Sequence, residues 1–503
     1  MISFVQLHSL DNVIVAIDSI PRGTVISEIN IVCRNNVPCG HKISTTTIER
    51  GDAIRKSNMI IGFATRTILA GEHVHVHNTG MSENHFVVNN NIQTVSLLND
   101  VLRNKFKGIV RSNGQVATRN YIGILTTVSC TNIVAKLISE QFYGHALDAF
   151  PNIDGIVALT HSLGCGGVQD GDGMDILRRT IAGYARHPNF GAVIILGLGC
   201  ENNQFSRIVE TENLKIGDLL KSFIVQELGG IKVCVDTVVK HIKYILPIVN
   251  QFQRQTVSAS HISIGLQCGG SDGYSGITAN PALGVAVDLL IKAGGTAILS
   301  ETPEIYGAEQ LLINKAITPT VAEKLINRIN WWKFYLNKTG GKMNNNPSPG
   351  NKIGGLTTIL EKSSGAISKA GTTDLVNVVK YAESIKDHGL VFMDTPGYDP
   401  VSITGQIAGG ANIICFTTGR GSVYECKPVP NLKLATNTQL FDSMNDDMDI
   451  NCGQIITNNV TIEEMGHMIF ETILNVASGQ LTKSEKLTTT LSEISPWQID
   501  AIM

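Results

Sequence analysis

Three apolar runs, each closed by a cysteine at the same interval, constrain this chain more than any other feature. Tyr121-Ile-Gly-Ile-Leu-Thr-Thr-Val-Ser129 runs into Cys130, and Gly155-Ile-Val-Ala-Leu-Thr160 into His161-Ser-Leu-Gly-Cys165. Ala192-Val-Ile-Ile-Leu196 runs into Gly197-Leu-Gly-Cys200-Glu201. The cysteines stand 35 residues apart, the scale of one strand–helix–strand module. Helical patterns over 133–142 and 174–185 fill the intervals, and runs at 231–235, 261–266, 296–299, 390–393 and 413–416 continue the series as strands. The alternation predicts a largely parallel α/β sheet with helices on its faces. Ligands of such sheets bind beyond the carboxyl ends of the strands. Those ends carry Cys130, His161 with Cys165, Cys200 with Glu201, Cys268 with Asp272, and Glu301. One buried thiol is usually an apolar filler; thiols recurring at strand ends beside carboxylates point to a soft-ligand metal site.

The densest such end is Gln267-Cys-Gly-Gly-Ser-Asp-Gly-Tyr-Ser-Gly-Ile-Thr-Ala-Asn-Pro-Ala-Leu-Gly284. It joins a β-branched run to a helix whose Leu283, Val287 and Leu290 share a face. Asn280 is expected to cap that helix, with Pro281 in its first turn. The loop offers a thiol, a carboxylate, hydroxyls and free backbone N–H groups, which favour an anion. No Gly-x-Gly-x-x-Gly follows the first strand of the α/β region, which argues against a dinucleotide site.

Residues 1–80 read as a separate small all-β unit, since short β-prone runs are broken only by turn residues. Gly40-His41-Lys42 sits on a turn, and Gly71-Glu-His-Val-His-Val-His77 spaces three histidines by two. On a strand His73, His75 and His77 share one face, able to hold a metal or a polyanionic substrate, or to be a plain solvated surface. Residues 81–107 read as a linker, with a short helix over 95–102.

A formal charge of -3 gives no basic field, so no nucleic-acid partner is indicated. No apolar run approaches a membrane span. The N-terminus lacks the basic region and apolar run of a signal peptide, and ten scattered cysteines suggest reduced thiols in a cytoplasmic protein.

Five stretches in order, Gly197-Leu-Gly-Cys-Glu-Asn202, Cys268-Gly-Gly-Ser-Asp-Gly273, Ser275-Gly-Ile-Thr-Ala-Asn-Pro281, Asn346-Pro-Ser-Pro-Gly-Asn-Lys352 and Thr417-Thr-Gly-Arg-Gly421, resemble the altronate/galactarate dehydratase family. The resemblance spans nearly the whole chain. It implies a small N-terminal β-clip (SAF-like) domain, residues 1–80. An α/β dehydratase region follows, with a second domain over 108–253 and a Rossmann-like C-terminal domain over 254–503. It further implies a homodimer and a hydro-lyase dependent on a divalent metal, Fe2+ with Mn2+ as alternative; an iron–sulfur cluster held by Cys165, Cys200 and Cys268 is the alternative form, because three thiolates leave one iron open. D-altronate, giving 2-dehydro-3-deoxy-D-gluconate, is the first expected substrate, from the histidine run. Galactarate, a sulfonated hydroxy acid, or a non-catalytic sugar-acid-binding role are the alternatives. Glu425 stands where glycine is more usual in the family.

With that chemistry in view, Cys165, Cys200 and Cys268 are expected to hold the metal. Asp272, His161 and Glu201 are expected as acid/base groups or further ligands, and Lys352 and Arg420 as carboxylate clamps. His41, Lys42, His73, His75 and His77, with Gly269, Gly270, Ser271 and Thr278, are expected to contact the substrate.

Overall fold

The computed structural model describes residues 4–81, 103–487 and 491–499. The N-terminal unit is antiparallel throughout. One sheet orders the strands Phe4–Val5, Val13–Ala16, Lys42–Ser44 and His73–Val74; a second orders Ala53–Lys56, Met59–Ala64 and Thr79–Gly80. Alternation along Val13–Ala16 explains its packing, because successive side chains face opposite ways. Val13 joins the core of Ile54, Ile61 and Ile68, whereas Ile14 and Ala16 join that of Ile20, Ile26 and Ile43. Val15 packs on Tyr274 and Ile277 of the C-terminal domain, so this strand also holds the two units together.

Most of the expected linker, with its short helix, lies outside the described residues. Residues 105–107 do not belong to a linker: the strand Lys105–Val110 pairs antiparallel with Val116–Ala117 and Arg254–Ser258.

Two separate parallel sheets follow. The first orders Leu220–Ile224, Phe190–Gly197, Tyr121–Thr126, Gly155–Thr160 and Leu491–Glu493. The second orders Leu375–Val379, Gly389–Met393, Thr296–Ser300, Ser263–Cys268, Ile413–Thr418, Asn431–Ala435 and Ile450–Asn451. Both are buried on two faces, as parallel sheets require. The expected strand at 231–235 is instead the start of the helix Ile231–Val249. Cys234, Val238, Ile242, Ile245 and Val249 bury one face at helical spacing, so a five-residue β-branched window concealed a longer helical period.

In the seven-stranded sheet the chain begins at Ser263–Cys268, moves to one side, and returns to Ile413–Thr418 on the other. The crevice between these two carboxyl ends is the topological switch point, where ligands of open α/β sheets bind.

Candidate active site

Beyond the carboxyl ends of Ser263–Cys268 and Thr296–Ser300 lies a buried charged cluster. The Lys369 ammonium donates to Cys268 Sγ at 2.9 Å. Lys362 donates to Glu304 Oε1 at 2.6 Å and to Asn346 Oδ1 at 3.1 Å, and Asn346 donates to the same Glu304 oxygen at 2.9 Å. Cys268, Glu301 and Glu304 place one ligand atom each within 4.8 Å of one another. Glu301 adopts a left-handed backbone, φ 73°, and its Oε1 is buried without a hydrogen-bond partner. Strain of that kind in a non-glycine residue collects at functional sites.

Helix Ile359–Ser368 supplies the lysines: Lys362 lies within it and Lys369, seven residues on, caps its end. That spacing is two turns, so both reach the same side. Asp399 enters from the helix after Gly389–Met393, and a Cβ on Gly269 would meet its Oδ2 at 2.2 Å.

The electrostatics follow from burial. Desolvation, then Glu304 and Asp399, push the Glu301 carboxyl well above its usual range. Desolvation, then Glu304, push Asp399 up to about 6. Burial alone would lower both lysines, but Cys268 and Glu301 outweigh it at Lys369, and Glu304 and Cys268 outweigh it at Lys362, so both stay charged. Glu304, Lys362, Lys369 and Asp399 were missed by sequence reasoning. The signals that could have found them are the Glu-x-x-Glu at a strand end and the seven-residue lysine spacing.

Asp272 is buried in a nest of donors. Its carboxylate accepts from Tyr274 N at 3.1 Å, Ser275 N at 2.9 Å, Ser275 Oγ at 3.0 Å, Thr436 Oγ1 at 2.9 Å and Asn437 Nδ2 at 3.0 Å. Those bonds tie its own turn to the loop after Asn431–Ala435. Gly270 takes φ 61°, and its carbonyl accepts from the N–H groups of Gly419 and Arg420. Ser271 is buried with an unpartnered hydroxyl. Thr278 donates to Thr436 O at 2.7 Å and is the N-cap position of helix Ala279–Lys292, without a side-chain capping bond. Asn280 is therefore not the cap. It lies inside the helix, where it donates to Gly365 O at 2.8 Å and accepts from Thr417 Oγ1 at 2.6 Å. Tying the helix to two other segments uses the side chain that capping would have needed. Arg420 is exposed and borders a cavity of about 460 Å3 with Asp272, Tyr274, Gly354, Gly419 and Asn437. Lys352 is half-buried in the short helix Pro349–Ile353 and does not line that cavity.

The N-terminal domain docks on this loop. Tyr274 OH donates to Ala16 O at 3.0 Å, and Cys39 Sγ lies 3.1 Å from it. A Cβ on Gly273 would meet Gly40 O at 2.2 Å. Lys42 is fully buried and binds Gly355 O at 2.6 Å and both oxygens of Glu361 at 2.9 Å. It is an interface tie, spent on Glu361.

The histidines do converge, with His41 among them, but not as a strand face. The strand ends at Val74, and residues 75–78 turn. The turn brings the His73 and His77 rings to 5.4 Å and the His41 and His75 rings to 4.6 Å. His41, His73 and His75 place ligand atoms within 4.8 Å of one another. Burial first, and then neighbouring positive charge, lower His73 to about 3 and His75 to about 4. Burial likewise lowers His41. The imidazoles are thus held neutral, the form that ligates metal. His41 Nε2 lies 3.1 Å from Ile353 O, and His75 Nδ1 is buried and unpartnered. A ring N–H given to a backbone carbonyl is the usual outer support of a metal-binding histidine; His41 Nδ1 lies 3.0 Å from His73 Nε2, a contact that an ion between the two rings would replace. The residues fit a divalent ion.

The second domain's candidates sit elsewhere. His161 is buried, with Nε2 2.8 Å from Thr126 O and Nδ1 accepting from Leu163 N at 3.1 Å, and burial lowers it to about 4. Glu201 accepts from Thr127 Oγ1 and Gly199 N, both at 2.6 Å, and pins its own loop. Cys165 and Cys200 are exposed at the ends of the five-stranded sheet, while Cys268 is buried in the other. Among the described residues neither exposed thiol belongs to a three-ligand group within 4.8 Å, so the three expected metal ligands are not brought together. Glu425 is pushed up by burial, and it packs near Ser484, Glu485 and Lys433.

Comparison with known proteins covers nearly the whole chain. Residues 2–82 match the altronate/galactarate dehydratase SAF domain, 108–250 the second domain of D-galactarate dehydratase/altronate hydrolase, and 259–502 the C-terminal domain of D-galactarate/altronate dehydratase. The chain is 36% identical over 501 residues to altronate dehydratase of Bacillus subtilis, covering 97% of each chain. It is 36% identical over 494 residues to altronate dehydratase of Escherichia coli, covering 96% of this chain and 97% of that one. Galactarate dehydratase (L-threo-forming) of Escherichia coli is 34% identical over 492 residues, covering 95% and 93%.

Proposed function

The chain belongs to the altronate/galactarate dehydratase family and is a hydro-lyase of sugar acids; on that premise we propose that the cluster around Cys268 is its reacting centre and D-altronate its substrate. The product is then 2-dehydro-3-deoxy-D-gluconate. Two relatives that act on altronate, matched end to end, support this choice.

Dehydrating a 2,3-dihydroxy acid takes the proton α to the carboxylate and expels the neighbouring hydroxyl. Asp399 is the base: a carboxyl near 6 is ionised at neutral pH yet keeps useful proton affinity. Glu301, whose carboxyl burial and two neighbouring carboxyls push well above its usual range, is the acid that protonates the leaving oxygen. Lys362 and Lys369 offset the charge of an anionic substrate placed against these carboxyls. The observation that carries this reading is the packing of two lysines, three carboxyls and a thiol beyond the carboxyl ends of Ser263–Cys268 and Thr296–Ser300.

Fe2+, with Mn2+ as the alternative, is proposed at His41, His73 and His75. When bound, such an ion supplies fixed positive charge toward an anionic substrate. The family resemblance also supports a homodimer, which light scattering reads.

The test is a panel of altronate, galactarate and sulfolactate with iron-loaded protein, following the 2-keto-3-deoxy product, together with exchange of the C2 proton in deuterated water. Asp399→Asn should abolish exchange, and Glu301→Gln should keep exchange while losing product. Full turnover in both variants would remove the cluster from the chemistry.

A further inference from the structure

Four of the ten thiols are exposed, and three of those, Cys130, Cys165 and Cys200, lie on one rim. They follow Tyr121–Thr126, Gly155–Thr160 and Phe190–Gly197, which are adjacent in the five-stranded sheet. Adjacent strands run about 4.8 Å apart, so the outer two loops start roughly 10 Å from each other and then knit together. Ser129 N donates to Leu163 O at 2.9 Å, Asn203 N to Gly164 O at 3.2 Å, and Asn203 Nδ2 to Thr127 O at 3.0 Å. Asn202 Nδ2 donates to Gly167 O at 3.2 Å. Every one of these groups is within three residues of a rim cysteine. Gly164 takes φ 104°, and a Cβ there would meet Thr127 O at 2.2 Å, so two of the loops touch backbone to backbone.

The rim carries two further signs of a ligand. Asn203 is fully buried, yet its Oδ1 has no hydrogen-bond partner. The Gln226 amide donates to Cys200 Sγ at 3.4 Å, the contact a thiolate would accept. None of the rim thiols is in a disulfide.

We propose that this rim binds a [4Fe–4S] cluster through Cys130, Cys165 and Cys200, leaving the fourth iron open. A single ion at the usual metal–sulfur length of about 2.3 Å needs sulfurs within about 4.6 Å of one another. The three rim thiols form no such group. A cubane takes each thiolate on a different iron and suits wider spacing. The thiols bind as thiolates and release their protons, with ferrous and ferric iron in equal amounts and sulfide coming from the medium, so that the core forms without any further oxidant. A cavity of about 500 Å3, lined by His161, Ser162, Pro396 and Tyr398, adjoins the rim and gives the open iron room for a small oxygen ligand. This site stands apart from the Cys268 cluster and does not depend on the reading given to it.

The test uses the full chain, reconstituted anaerobically with ferrous and ferric iron in equal amounts and sulfide. Expected are acid-labile sulfide matched by an equal amount of iron beyond that held at His41, His73 and His75, and a broad visible absorption that dithionite bleaches. Cys130→Ser, Cys165→Ser and Cys200→Ser should each lose most of the sulfide and the absorption. Cys39→Ser, which removes the fourth exposed thiol, should keep both. Alkylation mapped by mass spectrometry needs no variant: the three rim thiols should be protected in the reconstituted protein and labelled after the cluster is stripped. Iron without sulfide, an absorption retained in the three rim variants, or unchanged labelling of the rim thiols would each overturn the proposal.

Discussion

Replacing Glu361 by glutamine should undo the docking of the N-terminal domain more than any other single change. Its carboxylate is almost fully buried and accepts from Lys42 at 2.9 Å, from Lys56, and from Thr357 N and Oγ1 at 3.0 and 2.7 Å. Burial alone would raise its pKa, but the two ammonium groups outweigh that and hold it well below the carboxylate range. Glutamine keeps the shape and removes the charge. Lys56, at the edge, can turn its ammonium toward water. Lys42 cannot, since its side chain is fully buried. Leaving such a charge without its partner costs about 3–5 kcal/mol. If opening of the interface is what exposes the backbone of 38–44 and 355–361, hydrogen exchange there should speed up by a factor between about a hundred and several thousand. Exchange in the strands of the five-stranded sheet should not change.

Because the chain has several units, one unfolding midpoint is a poor measure, and segment-resolved exchange is the better assay. Glu361→Leu combined with Lys42→Met should recover much of the loss, because an apolar pair can replace a buried ion pair. Exchange in Glu361→Gln within about threefold of the unmodified protein, a difference under about 1 kcal/mol, would refute the reasoning.

Three further outcomes are expected. The kcat profile of the unmodified enzyme should carry an acid limb: the base Asp399 must be ionised, so activity, read as rate against pH, should fall as pH drops through about 6. Its folded pKa lies above the unfolded value, so its own contribution to stability is present below the unfolded value and is lost as pH rises through about 6. Asp272→Asn should lower the thermal midpoint, because an amide turned toward five donors leaves about 1–3 kcal/mol of hydrogen bonding unmade; an unchanged midpoint, read by calorimetry, would contradict this. His73→Ala should weaken Fe2+ or Mn2+ binding in calorimetric titration by on the order of ten- to a hundredfold or more, while a native-like affinity would take the metal away from the histidines.

The parallel α/β architecture was legible because β-branched runs and helical intervals repeat at module length. The histidine cluster was legible too, although for the wrong local reason: a turn after Val74, not an extended strand, gathers the rings. Asp272 was expected as a reacting group, and what the structure shows is a carboxylate held by five hydrogen bonds. A carboxylate among glycines looks exposed in sequence, and only folding reveals that Thr436 and Asn437, 164 and 165 residues away, satisfy it. The lysines went unseen for the converse reason. Lys362 and Lys369 lie on a helix whose pattern reads as amphipathic and solvated, and nothing local shows that this helix is buried from both sides, facing Lys42 with Glu361 and Cys268 with Lys369.

The relation between the two parallel sheets was also beyond reach of local pattern, and it bears on how the molecule works. Their amino ends meet directly. His187 Nε2 lies 2.9 Å from Ala411 O, Thr118 Oγ1 donates to Asn412 O at 2.8 Å, and Asn189 Nδ2 donates to Pro428 O at 3.0 Å. Each of these residues comes just before a strand. Helices Asp172–Ala185 and Asp399–Gly409 pack so closely that a Cβ on Gly183 would meet Ala408 O at 2.4 Å. With amino ends together and one helix of each sheet in contact, the carboxyl ends must open toward the same side. The cavity of about 500 Å3 bears this out, since His161 and Ser162 of one rim and Pro396 and Tyr398 of the other line it together. Asp399 begins the helix immediately after Tyr398. A ligand in that cavity is therefore one residue from the proposed base on one wall and a few residues from a thiol-bearing loop on the other, so substitutions at Tyr398 should disturb both sites, and those at the joined amino ends neither.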